Sequence, residues 1–441
     1  MREVLYVFSL FIIAIIHIII LFRQNWQNGG VTTHSAVLFT MLFYFEIVPI
    51  LIYLGVVSQS DASYSLMVNM ILKCSPGEFI LAECSVLAFT LAFDISYKRY
   101  NNRQKIVAYS FNEERMHKAL KVIAFITVII GGTAFILYIQ AFGGISSLLS
   151  YADYFRSFRT NKTDIIGYGS TLLVVPARLI LVAPIVLWPF IKDTLRHRGI
   201  LKVLFIVVLA FSVIFLLFNA GKTGIVVMIL CFAIPFLNKF TKHSWALCII
   251  GGCFMLPILG AMDSLFAYLT TGRWYVFSTT GSTYIGQFSY VYANILKLNT
   301  MVNSSGLRWG SDFITGVLNL LPGLDFSASY EVTSALYYGP NWMQIAGVPD
   351  DIITFGYLQF GIIGVALVGV ILGFFCGKID FLIRQMDKDK YAVIITSVIL
   401  CMYSYVVNAD IGVLIKSQFQ LTLCSFCILY SVRRNDTLTN S

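Results

Sequence analysis

Residues 349–377 read PDDIITFGYLQFGIIGVALVGVILGFFCG. An acidic pair that follows a proline leads into a run of apolar residues and glycines long enough to cross a bilayer as a helix. We predict a membrane helix over 351–377, with Asp350 and Asp351 either capping its N-terminus or serving in chemistry. The preceding stretch, 263–350, contains no credible span. We therefore predict an external loop there, with short helices that form a lid over a membrane-embedded site.

The composition of the whole chain places it in the membrane. Of its 441 residues, 58% are hydrophobic and only 12% are charged, whereas a soluble domain carries about 25% charged residues. The net charge of +9 indicates basic cytoplasmic loops rather than a nucleic-acid-binding surface. The segment 4–22 is followed by no small-residue cleavage site, so we expect it to be a retained helix rather than a signal peptide.

Hydropathy predicts an all-α polytopic membrane protein with about 11 transmembrane helices in a single membrane domain. The predicted spans are 4–22, 35–57, 78–97, 120–141, 170–191, 200–218, 223–240, 244–262, 351–377, 391–408 and 411–431. Lys and Arg residues concentrate in alternate connections, which we assign to the cytoplasm. The external connections are then 58–77, 142–169, 219–222, 263–350 and 408–410, and the N-terminus is external.

Several chemistries have no support on the predicted external face. None of the five histidines falls there, so we predict no imidazole base and no metal site. Cys424 and Cys427 have the spacing of a redox-active or metal-binding cysteine pair. They lie inside a predicted helix, however, so we interpret them as small buried side chains. Gly221-Lys222-Thr223 lacks the preceding glycine of a P-loop. We therefore expect no cofactor, and no nucleic-acid partner.

The few external basic residues indicate an anionic substrate. A guanidinium grips a phosphate through paired hydrogen bonds, so we predict that these side chains bind a diphosphate. Arg178 lies inside a predicted span, where a charge needs an anionic partner or a wet cavity. Alternatively, the loop cations form a solvated face, and Arg178 pairs with Glu78 or Glu83. The diphosphate-binding candidates are Arg156, Arg159, Arg178, Lys222 and Arg273.

External acids and aromatic residues supply candidates for the remaining roles. A carboxylate could accept the proton of an attacking hydroxyl, and indole or phenol rings could stack on sugars or anchor the chain at the membrane surface. The candidate bases are Asp350, Asp351 and Glu331, and the candidate sugar contacts are Trp274, Arg308, Trp309, Trp342 and Tyr357.

The layout resembles the Wzy-type O-antigen and oligosaccharide repeat-unit polymerases, which are multispanning proteins with two larger periplasmic loops. The resemblance is carried by Arg156 with Gly167, and by a C-terminal block of loop and glycine-rich helix. That block comprises Arg308-Trp-Gly310, Leu321-Pro322-Gly323, Phe355-Gly-Tyr-Leu-Gln-Phe-Gly361, Gly364, Gly369, Gly373 and Gly377. Asn219-Ala-Gly-Lys222-Thr-Gly224 is similar to a short turn of the family, with Lys222 in place of an arginine.

The resemblance implies a membrane glycosyltransferase fold of the GT-C type in a bacterial inner membrane, with its active site facing the periplasm. It implies transfer of a growing glycan from undecaprenyl diphosphate to a new lipid-linked repeat unit, without nucleotide or metal, in O-antigen or other surface-polysaccharide biosynthesis. The implied catalytic residues are Arg156, Arg178, Asp350, Asp351 and Glu331. A chain-length regulator and a flippase are possible partners, besides membrane lipid.

Two rival functions stay open. A transporter or flippase of lipid-linked sugars would use the carboxylates within the helices, namely Glu46, Glu78, Glu83 and Asp94, as a coupling pathway. An O-antigen ligase belongs to a related family, but ligases use an external histidine, and the sequence has none on that face. The absence of half-to-half repeats disfavours a transporter.

Overall fold

The computed structural model describes residues 2–28, 31–57, 65–103, 109–151, 162–193, 198–219, 222–237, 261–262, 264–269, 271–275, 281–319, 321, 326, 328–339 and 347–434. Nearly all of these residues are helical, as the apolar composition requires, because a helix satisfies its own backbone hydrogen bonds inside a bilayer. Two three-residue strands, β1 (Tyr109–Phe111) and β2 (Val432–Arg434), pair antiparallel.

The helices of the first part of the chain are α1 (Arg2–Asn28), α2 (Thr33–Met41), α3 (Val48–Tyr53), α4 (Ser65–Leu72), α5 (Pro76–Arg103), α6 (Glu113–Phe125), α7 (Gly132–Ala141), α8 (Ile145–Ser150), α9 (Lys162–Thr171), α10 (Val174–Ala177), α11 (Ala183–Asp193), α12 (Arg198–Phe218) and α13 (Lys222–Leu237). The helices of the second part are α14 (Gly281–Leu296), α15 (Leu298–Ser305), α16 (Ser311–Leu318), α17 (Ser329–Tyr338), α18 (Ile352–Ile383), α19 (Ala392–Cys401), α20 (Tyr403–Val407), α21 (Ile411–Ser417) and α22 (Phe419–Tyr430).

The prediction of a multi-pass helical membrane protein is confirmed. Within the described residues, seven helical stretches are long and apolar enough to cross a bilayer: Arg2–Arg23, Thr33–Tyr53, Pro76–Asn101, Glu113–Ala141, Gly169–Lys192, Gly199–Phe218 and Ile352–Ile383. Each matches a predicted span. The predicted spans 223–240 and 391–408 correspond to shorter apolar helices, and 411–431 is divided between α21 and α22. The span 244–262 lies outside the described residues except for its last two.

The chain forms two compact units. Unit 1 comprises residues 1–106, 278–380 and 402–414, and unit 2 comprises 107–277, 381–401 and 415–441. In unit 1, α14 packs against α4 and α5, and residues 291–296 bury their side chains there. Part of the stretch 263–350 therefore forms a helix in the core of unit 1.

Glycines of α18 determine how that helix packs in unit 1. A Cβ atom added to Gly373 would lie 2.4 Å from the Phe93 carbonyl oxygen, and one on Gly369 would lie 2.8 Å from the Phe89 oxygen. Such distances are possible only without a side chain, so the backbones of α5 and α18 touch along this stripe. The Ser96 hydroxyl donates to the Val370 carbonyl across the same contact, at 2.8 Å.

The predicted continuous helix over 351–377 is interrupted. Phe360 and Gly361 have non-helical backbone angles, and Gly361 has a φ of +61°. The kink leaves carbonyls without helical partners, and the backbone N–H groups of Arg308 and Trp309 donate to Leu358 and Gln359. The part after the kink is about 33 Å long at 1.5 Å per residue, which by itself spans a bilayer.

Unit 2 has its own irregular helices. The span that begins with α6 contains a π-helical turn at Ile126–Gly131, and a 3₁₀ segment, Arg178–Leu181, lies between α10 and α11. The two irregular segments pack on each other, because Gly131 lies so close to Ile180 that a Cβ atom would come within 2.9 Å of its nitrogen. Elsewhere in unit 2, α11 packs on α12 and α13 packs on α19.

Candidate functional site

The two aspartates that precede α18, Asp350 and Asp351, make different contacts. Asp351 caps the helix: its Oδ1 accepts hydrogen bonds from the backbone N–H groups of Ile353 and Thr354, at 3.1 and 3.0 Å. Its Oδ2 accepts from the Thr354 hydroxyl at 2.6 Å and from Asn294 Nδ2 at 3.4 Å. These are the hydrogen bonds of an N-cap, so the capping interpretation holds for Asp351.

Asp350 has the opposite environment. Its side chain is completely buried, yet neither carboxyl oxygen has a hydrogen-bond partner among the described residues. Only its main chain is engaged, because its carbonyl accepts from the Ala409 N–H at 2.9 Å. An unpaired buried carboxyl costs stability, and such groups cluster at functional sites.

The surroundings of Asp350 change its acidity. Burial raises the pKa of the Asp350 carboxyl well above its usual range, and the carboxylates of Asp410, Asp351 and Asp312 raise it further. Burial also raises the pKa of Asp351, to about 6, against hydrogen bonds from Thr354 and Asn294 that lower it. A carboxyl with a raised pKa, once ionised, is a strong acceptor for the proton of a hydroxyl group.

A second set of polar side chains holds Asp312 beside this group. Two guanidinium nitrogens of Arg308 contact its carboxylate: Nε lies 2.7 Å from Oδ1 and 2.8 Å from Oδ2, and Nη2 lies 2.6 Å from Oδ1. Gln359 Nε2 donates to Oδ2 at 2.6 Å, and the Ser329 hydroxyl donates to the same oxygen. Asp312 is therefore saturated with donors, and Arg308 is engaged in fixing it.

Trp309 is strained and exposed next to that network. It has a φ of +51°, which is costly for any residue with a side chain. The residue is 71% exposed, and its indole and the Phe360 ring are arranged edge-to-face with their centroids 6.0 Å apart. Its backbone N–H donates to the Gln359 carbonyl at 3.1 Å. The kink of α18 thus holds a large flat ring open to a ligand.

The predicted diphosphate site lies in unit 2 as far as the structure describes it. Arg178 begins the 3₁₀ segment and interacts electrostatically with the buried Tyr138. The alternative partners that we considered for Arg178 are occupied within unit 1. Glu78 is paired with Lys297 at 2.5 Å, and Glu83 accepts a hydrogen bond from Tyr292 at 2.7 Å.

The other predicted residues occupy varied places. Lys222 is the first residue of α13, and Arg273 and Trp274 lie exposed in a loop of unit 2. Glu331 is partly buried in the first turn of α17. The Tyr357 hydroxyl donates to Asn299 Oδ1 at 2.9 Å. The candidates Arg156, Arg159 and Trp342 lie outside the described residues.

The structure adds residues that sequence reasoning had not assigned to a site. Asp410 lies in the predicted 408–410 turn, and its carboxylate influences Asp350 from a position sixty residues further along the chain. Gln359 is a polar residue within an apolar run, and an amide buried there needs a partner. That requirement is the signal that could have identified it.

Metal-binding geometry is not found in the described part of the chain, where no three His, Cys, Asp or Glu side chains are grouped to hold an ion. Cys424 and Cys427 are buried and unbonded to each other. Comparisons of the chain with protein-family models, with curated proteins and with solved structures found no match.

Proposed function

We propose that this protein polymerises oligosaccharide repeat units carried on undecaprenyl diphosphate, as a membrane glycosyltransferase with a fold of the GT-C type. The observation that carries the proposal is Asp350, a fully buried carboxyl with no hydrogen-bond partner in the described chain and with three other carboxyls around it. It lies at the N-terminal end of a membrane span, where a lipid-linked substrate presents its sugar.

In the proposed reaction, the ionised Asp350 carboxylate accepts the proton of an acceptor hydroxyl. The hydroxyl oxygen forms a bond to the anomeric carbon of the growing glycan. The bond from that carbon to the diphosphate breaks, and the diphosphate leaves with the electron pair. Because no donor from the described residues occupies the Asp350 oxygens, the hydroxyl displaces no hydrogen bond that the structure shows.

Neighbouring residues of unit 1 would position the acceptor sugar. The indole of Trp309 offers an exposed apolar face, which suits the C–H face of a sugar ring. Arg308 and Gln359 fix Asp312, so that its charge stays close to Asp350 and keeps the pKa of Asp350 raised. In this proposal Arg308 and Asp312 are positioning residues, and Asp351 holds the start of α18.

The diphosphate assignment rests on the basic residues. For the diphosphate we propose Arg178, Arg156, Arg159, Lys222 and Arg273, because their positive charges would stabilise the charge that develops on a leaving diphosphate. We propose that the reaction occurs on the periplasmic face of a bacterial inner membrane. A chain-length regulator and a flippase would act beside the protein, and no nucleic acid or cofactor takes part.

The test is a deletion strain complemented with Asp350→Asn. Removal of a general base typically lowers the rate by about 10²–10⁴-fold. We therefore expect the variant to reach the membrane in normal amount, while the cells display lipid A core with a single repeat instead of a polymer ladder. The Asp351→Asn variant should lose less activity, because asparagine also caps helices well.

The matched control is Asp387→Asn, which changes an exposed aspartate of unit 2 and should keep the full ladder. A normal ladder with Asp350→Asn would show that Asp350 is not the base. If the uncomplemented deletion strain displays lipid A core that carries no repeat unit, the protein is a flippase. If that strain accumulates polymer on the carrier lipid, the protein is a ligase. Either result would contradict the proposed reaction.

A further inference from the structure

Unit 1 contains a row of buried polar side chains that the proposed reaction does not use. Helix α5 carries Glu83, Thr90 and Asp94, separated by seven and four residues, so that they share one face. All three are buried, although α5 is apolar enough to cross a membrane. Ionisable groups in such a position are costly and therefore indicate function.

The centre of the row is a histidine held between a hydroxyl and a carboxyl. His17 of α1 is completely buried, with Nε2 2.8 Å from Thr90 Oγ1 and Nδ1 3.2 Å from Glu46 Oε1. The 3.2 Å contact does not have the geometry of a hydrogen bond, so both carboxyl oxygens of Glu46 and the Nδ1 of His17 are buried without a hydrogen-bond partner in the part of the chain that the structure describes. Both ring nitrogens of His17 therefore lie close to a side-chain oxygen of another residue.

The backbone around Glu46 is irregular as well. Glu46 lies in a π-helical turn, Leu42–Ile47, which interrupts the span between α2 and α3. A π turn widens a helix by one residue and occurs frequently at functional sites. The span could have been built as a regular helix with an apolar residue at this position. Pro49, which lacks a backbone N–H, follows directly, so the irregular turn and the buried carboxyl occur at the same point of the span.

Other proton-holding groups lie on either side of this centre. Glu83 interacts electrostatically with Glu46 and accepts a hydrogen bond from the Tyr292 hydroxyl at 2.7 Å. One turn beyond Thr90, Asp94 lies 3.2 Å from His34 Nε2 and is paired with Lys98. Between Glu78 and Lys98, α5 rises about 30 Å, which is the thickness of the apolar part of a bilayer.

We propose that Glu46, His17 and Thr90 form an intramembrane proton-transfer site, whose ligand is the proton itself. The Glu46 O–H bond breaks and its proton passes to His17 Nδ1, which gives an imidazolium. The Nε2–H proton then passes to the Thr90 oxygen as that hydroxyl releases its own proton toward Asp94. Asp94 is one helical turn away, about 6 Å, which one bridging water covers. Glu83 and Tyr292 exchange protons with Glu46 on the other side.

Histidine is suited to this step because each ring nitrogen can accept or donate in turn. The groups that face Glu46 are His17 from α1 and Glu83 from α5, and those that face Asp94 are His34 from α2 and Lys98 from its own helix. The inference does not depend on the polymerase reaction. It predicts that unit 1 responds to the proton gradient whether or not lipid-linked sugar is present.

The test is proton uptake by vesicles that contain the purified full-length protein and an entrapped pH-sensitive dye. A potassium gradient with valinomycin imposes the membrane potential, and no sugar substrate is added. We expect the wild type to acidify the vesicle interior faster than protein-free vesicles do. The Glu46→Gln variant should fall to the protein-free rate, and Glu46→Asp, which keeps a carboxyl, should retain part of the flux.

The matched control is Thr40→Val, in the same span. Thr40 is buried, and its hydroxyl donates to the carbonyl of Ala36 in its own helix, so flux should be unchanged. Wild-type flux no greater than that of empty vesicles, or undiminished flux with Glu46→Gln, overturns the proposal. If Glu46→Gln does not fold, His17→Gln provides the same comparison, because glutamine can bond to Thr90 but cannot relay a proton.

Discussion

Two adjacent aspartates differ in the hydrogen bonds that their side chains accept. Asp350 and Asp351 have the same side chain and the same place before a membrane helix, and the sequence predicts a cap or a base for either. In the structure, Asp351 accepts four hydrogen bonds, whereas Asp350 accepts none at its carboxyl within the described chain. The capping hydrogen bonds come from backbone N–H groups close in sequence. The raised pKa of Asp350 depends partly on Asp312 and Asp410, which are distant in sequence.

Trp309 gives a prediction at the same scale. Replacing it with glycine removes the penalty of its positive φ, so Trp309→Gly should raise the stability of the detergent-solubilised protein by roughly 1 kcal/mol. The same variant lacks the indole, so it should use acceptor repeat units poorly. Thermal unfolding and the yield of polymer from complemented cells measure the two effects.

Trp309→Ala is the matched control, because alanine loses the indole but keeps the strained backbone. It should lose polymer to a similar extent without the gain in stability. A Trp309→Gly protein that is less stable than the wild type would show that the strain is not stored at this residue.

At the scale of one element, helix α18 lies where the sequence predicts and is long enough to span a membrane, but it is kinked rather than continuous. Its apolar run predicts a membrane helix, and a helix begins at Ile352. The kink at Phe360 and Gly361 could not be predicted from glycine content alone, because Gly356, Gly364 and Gly369 also interrupt the run. It forms at Gly361 because a glycine tolerates the positive φ, and because Arg308 and Trp309 supply backbone donors to the freed carbonyls.

The glycine stripe of α18 is a packing surface, and Gly373 is its closest contact. In Gly373→Ala, the new methyl group would meet the Phe93 carbonyl and the Ser96 Cβ, at 2.4 and 2.9 Å, so the helices must separate. We expect a loss of stability of about 1–3 kcal/mol, the usual cost of overpacking. Thermal unfolding in detergent measures it.

Gly77→Ala, near the start of α5, is the control for the glycine stripe. No atom lies within 4 Å of a Cβ there, so alanine should be neutral or slightly stabilising in the helix. Equal unfolding temperatures for the two variants would mean that α5 and α18 do not touch at Gly373 in the membrane.

At the scale of the whole molecule, composition and hydropathy established a helical membrane protein, and each of the seven membrane-length stretches of the described chain matches a predicted span. Hydropathy gives the least information about the stretch 263–350. Hydropathy separates lipid-facing helices from the rest, but α14 is amphipathic and is buried against protein. A helix of that kind has no signal in a hydropathy window.

At the same scale, the proposed reaction requires neither nucleotide nor divalent metal. In that proposal the leaving group is a diphosphate, and the counter-charge comes from arginine and lysine side chains. With purified protein, undecaprenyl-diphosphate repeat units and a chelator in vesicles, we expect a ladder of polymer lengths on a gel. Asp350→Asn protein in the same vesicles is the control. A ladder that disappears with chelator and returns with Mg²⁺ would contradict this prediction.

The sequence by itself determined the class of the protein, the location of most of its membrane helices and the residue types available for chemistry, because these depend on local hydrophobicity and charge. Only the tertiary structure decided which groups meet. It capped α18 with Asp351 and fixed Asp312 with Arg308. Among the described residues it left the Asp350 carboxyl without donors, and it placed His17 against Glu46 and Thr90. Burial and pairing between segments far apart in the chain are properties of packing, and no local pattern encodes them.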